Sequence, residues 1–168
     1  QNILADGKDY FAVGGWSVSP NNEWLAYSTD YVSRRIYTVH FKNLLTGETI
    51  QNAISNSSGS VAWANDNRTV FYTSKNDVTL LSEKIWRHKL GSDSKSDEMV
   101  YHEKDDTFYN GVYRSKSGDY IIIYNQSTLV SDFHILNADK PDGDFVNFSP
   151  REKEHEYSID HYQDKFYI

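Results

Sequence analysis

SPNNEWLAYS (Ser19–Ser28) reads as the end of one strand, a tight turn and the start of the next. Pro20-Asn21-Asn22 supplies turn residues, and Trp24-Leu25-Ala26-Tyr27 supplies the apolar and aromatic residues that pleated strands favour. Nearly the same text returns as ANDNRTVFYTS (Ala64–Ser74) and SKSGDYIIIYN (Ser115–Asn125), and the turn Tyr162-Gln163-Asp164 leads into Phe166-Tyr167-Ile168. Aligned on Tyr27, Tyr72, Ile123 and Ile168, the copies lie 45, 51 and 45 residues apart. A single hairpin needs no copies, so the chain is built of repeated units.

Third strands follow at RRIYTVHF (Arg34–Phe41), EKIWRHKL (Glu83–Leu90) and DFHIL (Asp132–Leu136). In the first, Tyr37, Val39 and Phe41 share a face. In the second, Ile85, Arg87 and Lys89 oppose Trp86, His88 and Leu90. Polar turns come next, and TIQNAI, EMVYHE and FVNFSP read as short outer strands. No long segment has helical periodicity with caps. Four short antiparallel strands at this period are the signature of β-propeller blades, each of which must stack on its neighbours to bury its faces.

The expected fold is therefore all-β, a partial propeller of about three and a half four-stranded blades. Residues 1–14 form a lead-in or the outer strand of a preceding blade. Blades are expected at 15–56, 57–105 and 106–152, with a truncated blade at 153–168. Such an arc has raw edges, which invite pairing with another chain. The expectation is a piece of a longer protein that, when alone, either self-associates through its blade edges or is marginally stable.

Composition narrows the function. The 168 residues carry a net charge of −7, which disfavours nucleic acid and mildly favours cationic partners. The absence of Cys excludes disulfides, thiolate zinc sites and a Cys nucleophile. No run approaches the roughly 20 apolar residues of a membrane-spanning helix. QNILADGKDY lacks the basic and apolar regions of a signal peptide. The location expected is cytoplasmic, with the periplasm as the alternative. The sequons at Asn56, Asn67, Asn125 and Asn147 carry little weight without such a signal.

The search for chemistry returns few candidates. Gly15-Trp16-Ser17-Val18-Ser19 ends in Ser and precedes a strand, unlike a G-x-S-x-G elbow. HEYSIDH places His155 and His161 six residues apart on strand and turn, about 20 Å in extended chain, too far to share one metal. They are read as satisfying blade-loop hydrogen bonds, and no metal or other cofactor is expected. Asp105 and Asp106 in EKDDTFYNG could attract a cationic peptide, or simply form the turn. Arg34 and Arg35 in SRR could meet a carboxylate across a blade or domain interface, or serve as solvated edge charge. Trp16, Trp24, Trp63 and Trp86 are read as inter-blade packing. No catalytic residue emerges. From residues alone, a propeller acting as a protein-binding scaffold stays open.

Five stretches go further: GGWSVSPNNEWLAYSTDYVSRRIYTVHFKNLLTGE, VAWANDNRTVFY, IWRHKLGSD, EKDDTFY and PREKEHEYSIDHYQDKFYI. Together, in this order, they resemble the propeller of the oligopeptidase B (protease II) branch of the prolyl oligopeptidase family of serine peptidases. The resemblance runs along nearly the whole chain. It implies a seven-bladed ring in the full protein, joined to a C-terminal α/β-hydrolase domain that holds the Ser, Asp and His of the triad. It also implies cleavage of short peptides after Arg or Lys, with the propeller gating access. That hydrolase domain is the expected partner, with short basic peptides as substrates. The residues here supply no nucleophile, base or oxyanion donor and should be inactive alone.

Overall fold

The computed structural model describes residues 2–168. After a single helical turn, α1 (Asn2–Ala5), the regular structure is strand, save one 3-10 turn at Ser94–Ser96. The first strands are β1 (Ala12–Val18), β2 (Trp24–Asp30), β3 (Tyr37–Asn43) and β4 (Ile54–Trp63). Then come β5 (Thr69–Lys75), β6 (Ser82–Lys89) and β7 (Glu98–His102). A third group follows as β8 (Tyr109–Arg114), β9 (Tyr120–Gln126), β10 (Ser131–Asn137) and β11 (Val146–Asn147), and the chain ends in the hairpin β12 (Asp160–Tyr162) and β13 (Lys165–Tyr167). All pairings are antiparallel between sequential strands, the order of propeller blades.

The repeating hairpin is real in three dimensions. Asn22, Asn67, Gly118 and Gln163 all have positive φ and fall at the same intervals as the sequence repeat. Only Gly, and to a lesser degree Asn, enters this region at low cost, which is why the turn text recurs. Two residues after Asn21, Asp66 and Ser117, a backbone N–H donates to that side chain, from Glu23, Arg68 and Asp119. The first three copies thus carry the same side-chain brace.

Stacking explains why the strands read as unbroken apolar runs. Both faces of a middle strand are buried, each against a different blade. On β5, Val70 and Tyr72 face the first blade's Ala26, Val39 and Phe41. Between them, Phe71 points the other way, onto Ile121, Ile123 and Leu136 of the third blade. On β9, Ile121 and Ile123 face the second blade, while Ile122 packs with Phe133 and Ile159. Fully burying one such side chain contributes about 1.5–3 kcal/mol. The strands β1 and β4 approach so closely that Tyr37 lies between Gly14 and Gly59; a Cβ on Gly59 would sit 2.9 Å from its ring.

Several expectations need correction. The outer strand proposed at TIQNAI survives only as a Lys42–Thr49 bridge and an Ile50 N–H bond to the Phe41 carbonyl. Gln51 and Asn52 are exposed and polar, with no face to bury. Instead β4 starts at Ile54 beside β3 and runs on into the second blade, re-aimed by left-handed Asn56 and Gly59. The third strand begins at Tyr37 rather than Arg34, because Asp30 gathers residues 31–35 into a loop. FVNFSP is strand only at Val146–Asn147. Trp63 is buried between blades, but Trp16 is 73% exposed, because nothing among the described residues stacks on that side of β1.

Candidate functional site

The pairings Ala12–Asp30, Ser57–Ser74, Lys84–His102 and Tyr109–Gln126 mark one end of the blade stack. Loops 31–36 and 103–108 both emerge there. The structure therefore brings Arg34, Arg35, Asp105 and Asp106 to the same end, on different blades.

The arginine loop is a built feature. Both carboxylate oxygens of buried Asp30 accept backbone N–H bonds at 2.8 Å, from Val32 and Arg35. Ser33 and Arg35 hold positive φ, a strained conformation for side-chain-bearing residues. Arg34 and Arg35 are exposed, and among the described residues neither guanidinium has an ion-pair partner.

Asp105 and Asp106 are also exposed. The Asp105 carboxylate accepts bonds from the Thr107 N–H and hydroxyl, which hold its pKa below the ordinary value. Asp105 thus shapes the turn as well as carrying charge. Asp106 has no such hydrogen bond among the described residues.

What fixes this loop lies beside it and was not found from sequence. Arg151, from the lead-in to the fourth blade, bonds Glu103 Oε2 through Nη2 and Asp132 Oδ2 through Nε, both at 2.5 Å. Its guanidinium lies 3.8 Å from the Phe108 ring centre. Glu103 is 8% exposed and Asp132 2%. Tyr101 donates to Glu103, and Asn125 donates to both Tyr101 Oη and Asp132. Burial would raise the Glu103 pKa, but the bonds from Arg151, the Asp105 N–H and Tyr101 outweigh it and bring it below the usual glutamate range. His134 sits on Tyr101 at 4.7 Å, with Nδ1 3.5 Å from Asp132, and burial lowers its pKa. Glu103 and Arg151 are 48 residues apart, so no spacing rule connects them. The only available signal was that each lies in a distinctive stretch, EKDDTFY and PREKEHEYSIDHYQDKFYI.

One arrangement resembles catalytic machinery and is not. Ser117 Oγ lies 2.8 Å from His161 Nδ1, and Asp119 Oδ2 is 3.5 Å from the same nitrogen. A triad needs the hydroxyl and the carboxylate on opposite ring nitrogens. Here both crowd one nitrogen, so the group braces the turn between the third and fourth blades. His155 accepts the Ser131 N–H through its carbonyl, and the His161 carbonyl accepts that of Ser117. The His161 ring also meets Ser117 and so fills the blade-loop role expected of it, whereas the half-exposed His155 bonds the neighbouring strand only through its carbonyl.

A concavity of about 500 Å³ opens between the inner strands, lined by Trp16, Ser60, Gly111, Tyr113 and Arg114 among others. Its wall offers hydrogen-bonding groups and aromatic faces but no nucleophile paired with a base, so it can contact a peptide without cleaving it.

The family described as the prolyl oligopeptidase N-terminal β-propeller domain matches residues 1–168. Dipeptidyl aminopeptidase BI of Pseudoxanthomonas mexicana is 42% identical over 167 residues, 99% of this chain and 23% of that protein. Protease 2 of Moraxella lacunata is 32% identical over 169 residues, 99% of this chain and 24% of that protein. Oligopeptidase B from Leishmania major superposes with a TM-score of 0.88 at 28% identity, over 95% of this chain and 23% of that one. The chain thus spans about a quarter of the length of these relatives.

Proposed function

Starting from the fact that this chain belongs to the prolyl oligopeptidase N-terminal β-propeller family, we propose that it is the gating propeller of a serine peptidase acting on short peptides. The observation that carries this reading is the match of residues 1–168 to the N-terminal β-propeller family of prolyl oligopeptidase. In the full protein a C-terminal α/β-hydrolase domain performs the chemistry, with Ser as nucleophile, His as base and Asp orienting the His. The blades restrict entry to peptides small enough to pass. Arg34 and Arg35, unpaired and held on a rigid loop, face a carboxylate of that domain.

Cleavage follows Arg or Lys. Asp105 and Asp106, held by the Glu103–Arg151 pair, add to the negative potential that draws such peptides in. The 42% identity to a dipeptidyl aminopeptidase favours a second reading, in which the enzyme releases dipeptides from free amino termini. An acidic rim serves both, since both substrates are cationic.

One assay separates them. The full-length enzyme is given fluorogenic peptides with Arg, Lys or Ala before the scissile bond, each with a free or a blocked amino terminus. Endopeptidase action predicts turnover of blocked Arg and Lys substrates. Dipeptide release predicts turnover of free-terminus substrates only. Failure on every peptide, with no labelling by a fluorophosphonate, would return the chain to the scaffold reading. Replacing Asp105 and Asp106 with Asn should lower kcat/KM for Arg substrates at low salt, and the difference should vanish as salt rises. Equal rates across the salt series would remove the steering role.

A further inference from the structure

Between the second and third blades, beside the Glu103–Arg151–Asp132 cluster, two asparagines face each other. Asn110 on β8 and Asn125 on β9 are directly paired in register, so their side chains leave the sheet on the same face. That face is the one turned to the second blade, because their neighbours Val112, Ile121 and Ile123 pack on Ala62, Phe71 and Ile85. Both asparagines are buried, at 2% and 0% exposure.

Their hydrogen-bonding capacity is not filled by protein. Asn125 Nδ2 spends its two protons on Tyr101 Oη and Asp132 Oδ1, each at 2.8 Å, but its Oδ1 has no partner. Neither Nδ2 nor Oδ1 of Asn110 has one. One buried donor group and two buried acceptors thus lie on facing residues. Left bare, each costs its full desolvation, and native interiors rarely allow it. Turning the Asn110 amide over leaves its shortfall unchanged, and turning that of Asn125 would set its oxygen against the Asp132 carboxylate.

We infer that the seam between the second and third blades holds an internal water site, in which at least one ordered water accepts from Asn110 and donates to Asn125. The ligand is water rather than a cation because the unfilled set includes a donor, which a cation cannot satisfy. The carboxylate oxygens nearby are already engaged by Arg151, Asn125, Tyr101 and the Asp105 N–H. An internal water takes two to four such polar partners. The water joins the inner strand β8 to the cluster that fixes the 103–108 loop, giving one hydrogen-bonded chain from Asn110 through Asn125, Asp132 and Arg151 to Glu103.

The test is a crystal structure of the full-length enzyme at a resolution that shows ordered water. A density peak within about 3.2 Å of both amides, at the same place in sodium and potassium crystals, is the expected result. Asn110→Leu should abolish that peak, leave the Tyr101–Asn125–Asp132 bonds in place and remove one long-lived water from oxygen-17 relaxation. The wild-type map decides the matter even where the variant fails to fold. A direct Asn110–Asn125 amide bond with no peak would overturn the inference. So would an anomalous peak at that point after a thallium soak, which would assign the site to a monovalent cation.

Discussion

The chain crosses from blade to blade in two different ways. From the first to the second it never leaves the sheet: β4 pairs with β3 through Ile54 and Ser57, then with β5 through Val61, Ala62 and Trp63. Side-chain bonds across that seam are neutral, such as Trp63 Nε1 to the Ser17 carbonyl and the Asn21 N–H to Asn67. From the second to the third it passes through the 103–108 loop, exposed at residues 104–107, and charged groups bind the seam. Arg87 donates to the Pro141 and Gly143 carbonyls, Lys89 meets Asp142, Arg114 reaches Asn65, and Arg151 ties Glu103 to Asp132. Where the backbone ladder is continuous, side chains need only pack; where it is interrupted, ionic latches hold the loop and the next blade in register.

The apolar cores of the two seams should fail alike. Phe41 and Phe71 are both fully buried, Phe41 against Trp63 and His88, Phe71 against Phe145. Truncating either to Ala should cost about 3–5 kcal/mol, the usual range for a buried Phe. Chemical denaturation of the full-length protein, followed by exchange of blade amides, checks this. A loss under about 1 kcal/mol at either seam would mean that the remaining blades hold it without that ring.

The charged seam should break alone when its latch is cut. Arg151→Met keeps an unbranched apolar stem but removes the guanidinium from Phe108 and leaves Glu103 and Asp132 without a counter-charge. Removing one partner of a buried pair costs about 3–5 kcal/mol; with Arg151 one-third exposed, about 2–3 kcal/mol is expected. Hydrogen exchange should quicken in the 103–108 loop and β8 and stay unchanged in β4. Equal quickening in β4 would show that the seams are not independent.

These contrasts differ in how far the sequence discloses them. The hairpin repeat was legible because turn chemistry is local: Asn22, Asn67 and Gly118 announce themselves within a few residues. The path of β4 was not, since a strand that serves two blades looks like two strands with a polar break. Its direction is set by Asn56 and Gly59 against Tyr37, a contact made only after the blades stack. Arg34, Arg35, Asp105 and Asp106 could be named from charge and context. The residues that hold their loops, Asp30 and Arg151, could not, because burial and partners across 48 residues are properties of the fold. Trp16 shows the converse: an aromatic in a strand implies packing only if something packs on it.

The smallest expected difference between the seams is in their response to mild acid. Burial lowers the pKa of His134, a shift that Asp132 and Glu103 oppose and Arg151 reinforces. An unfolded histidine takes its proton near pH 6.5, about the ordinary value, while folded His134 takes it lower. Between those points the unfolded chain binds more protons, so stability contributed here is full above about pH 6.5 and falls as pH drops through the window. Glu103 acts only later, losing its contribution as pH falls below the usual glutamate value of about 4.3. The pKa of His40, in the first blade and bonded to Thr29, is lowered by burial as well, so global unfolding carries both histidines. Local opening separates them. Exchange of the 103–108 loop, corrected for intrinsic rates, should quicken between pH 7 and 5.5 in the wild type and lose that dependence in His134→Gln. His40→Gln should leave it intact. If the loop keeps its pH response in His134→Gln, the titrating group lies elsewhere and the latch rests on Arg151 alone.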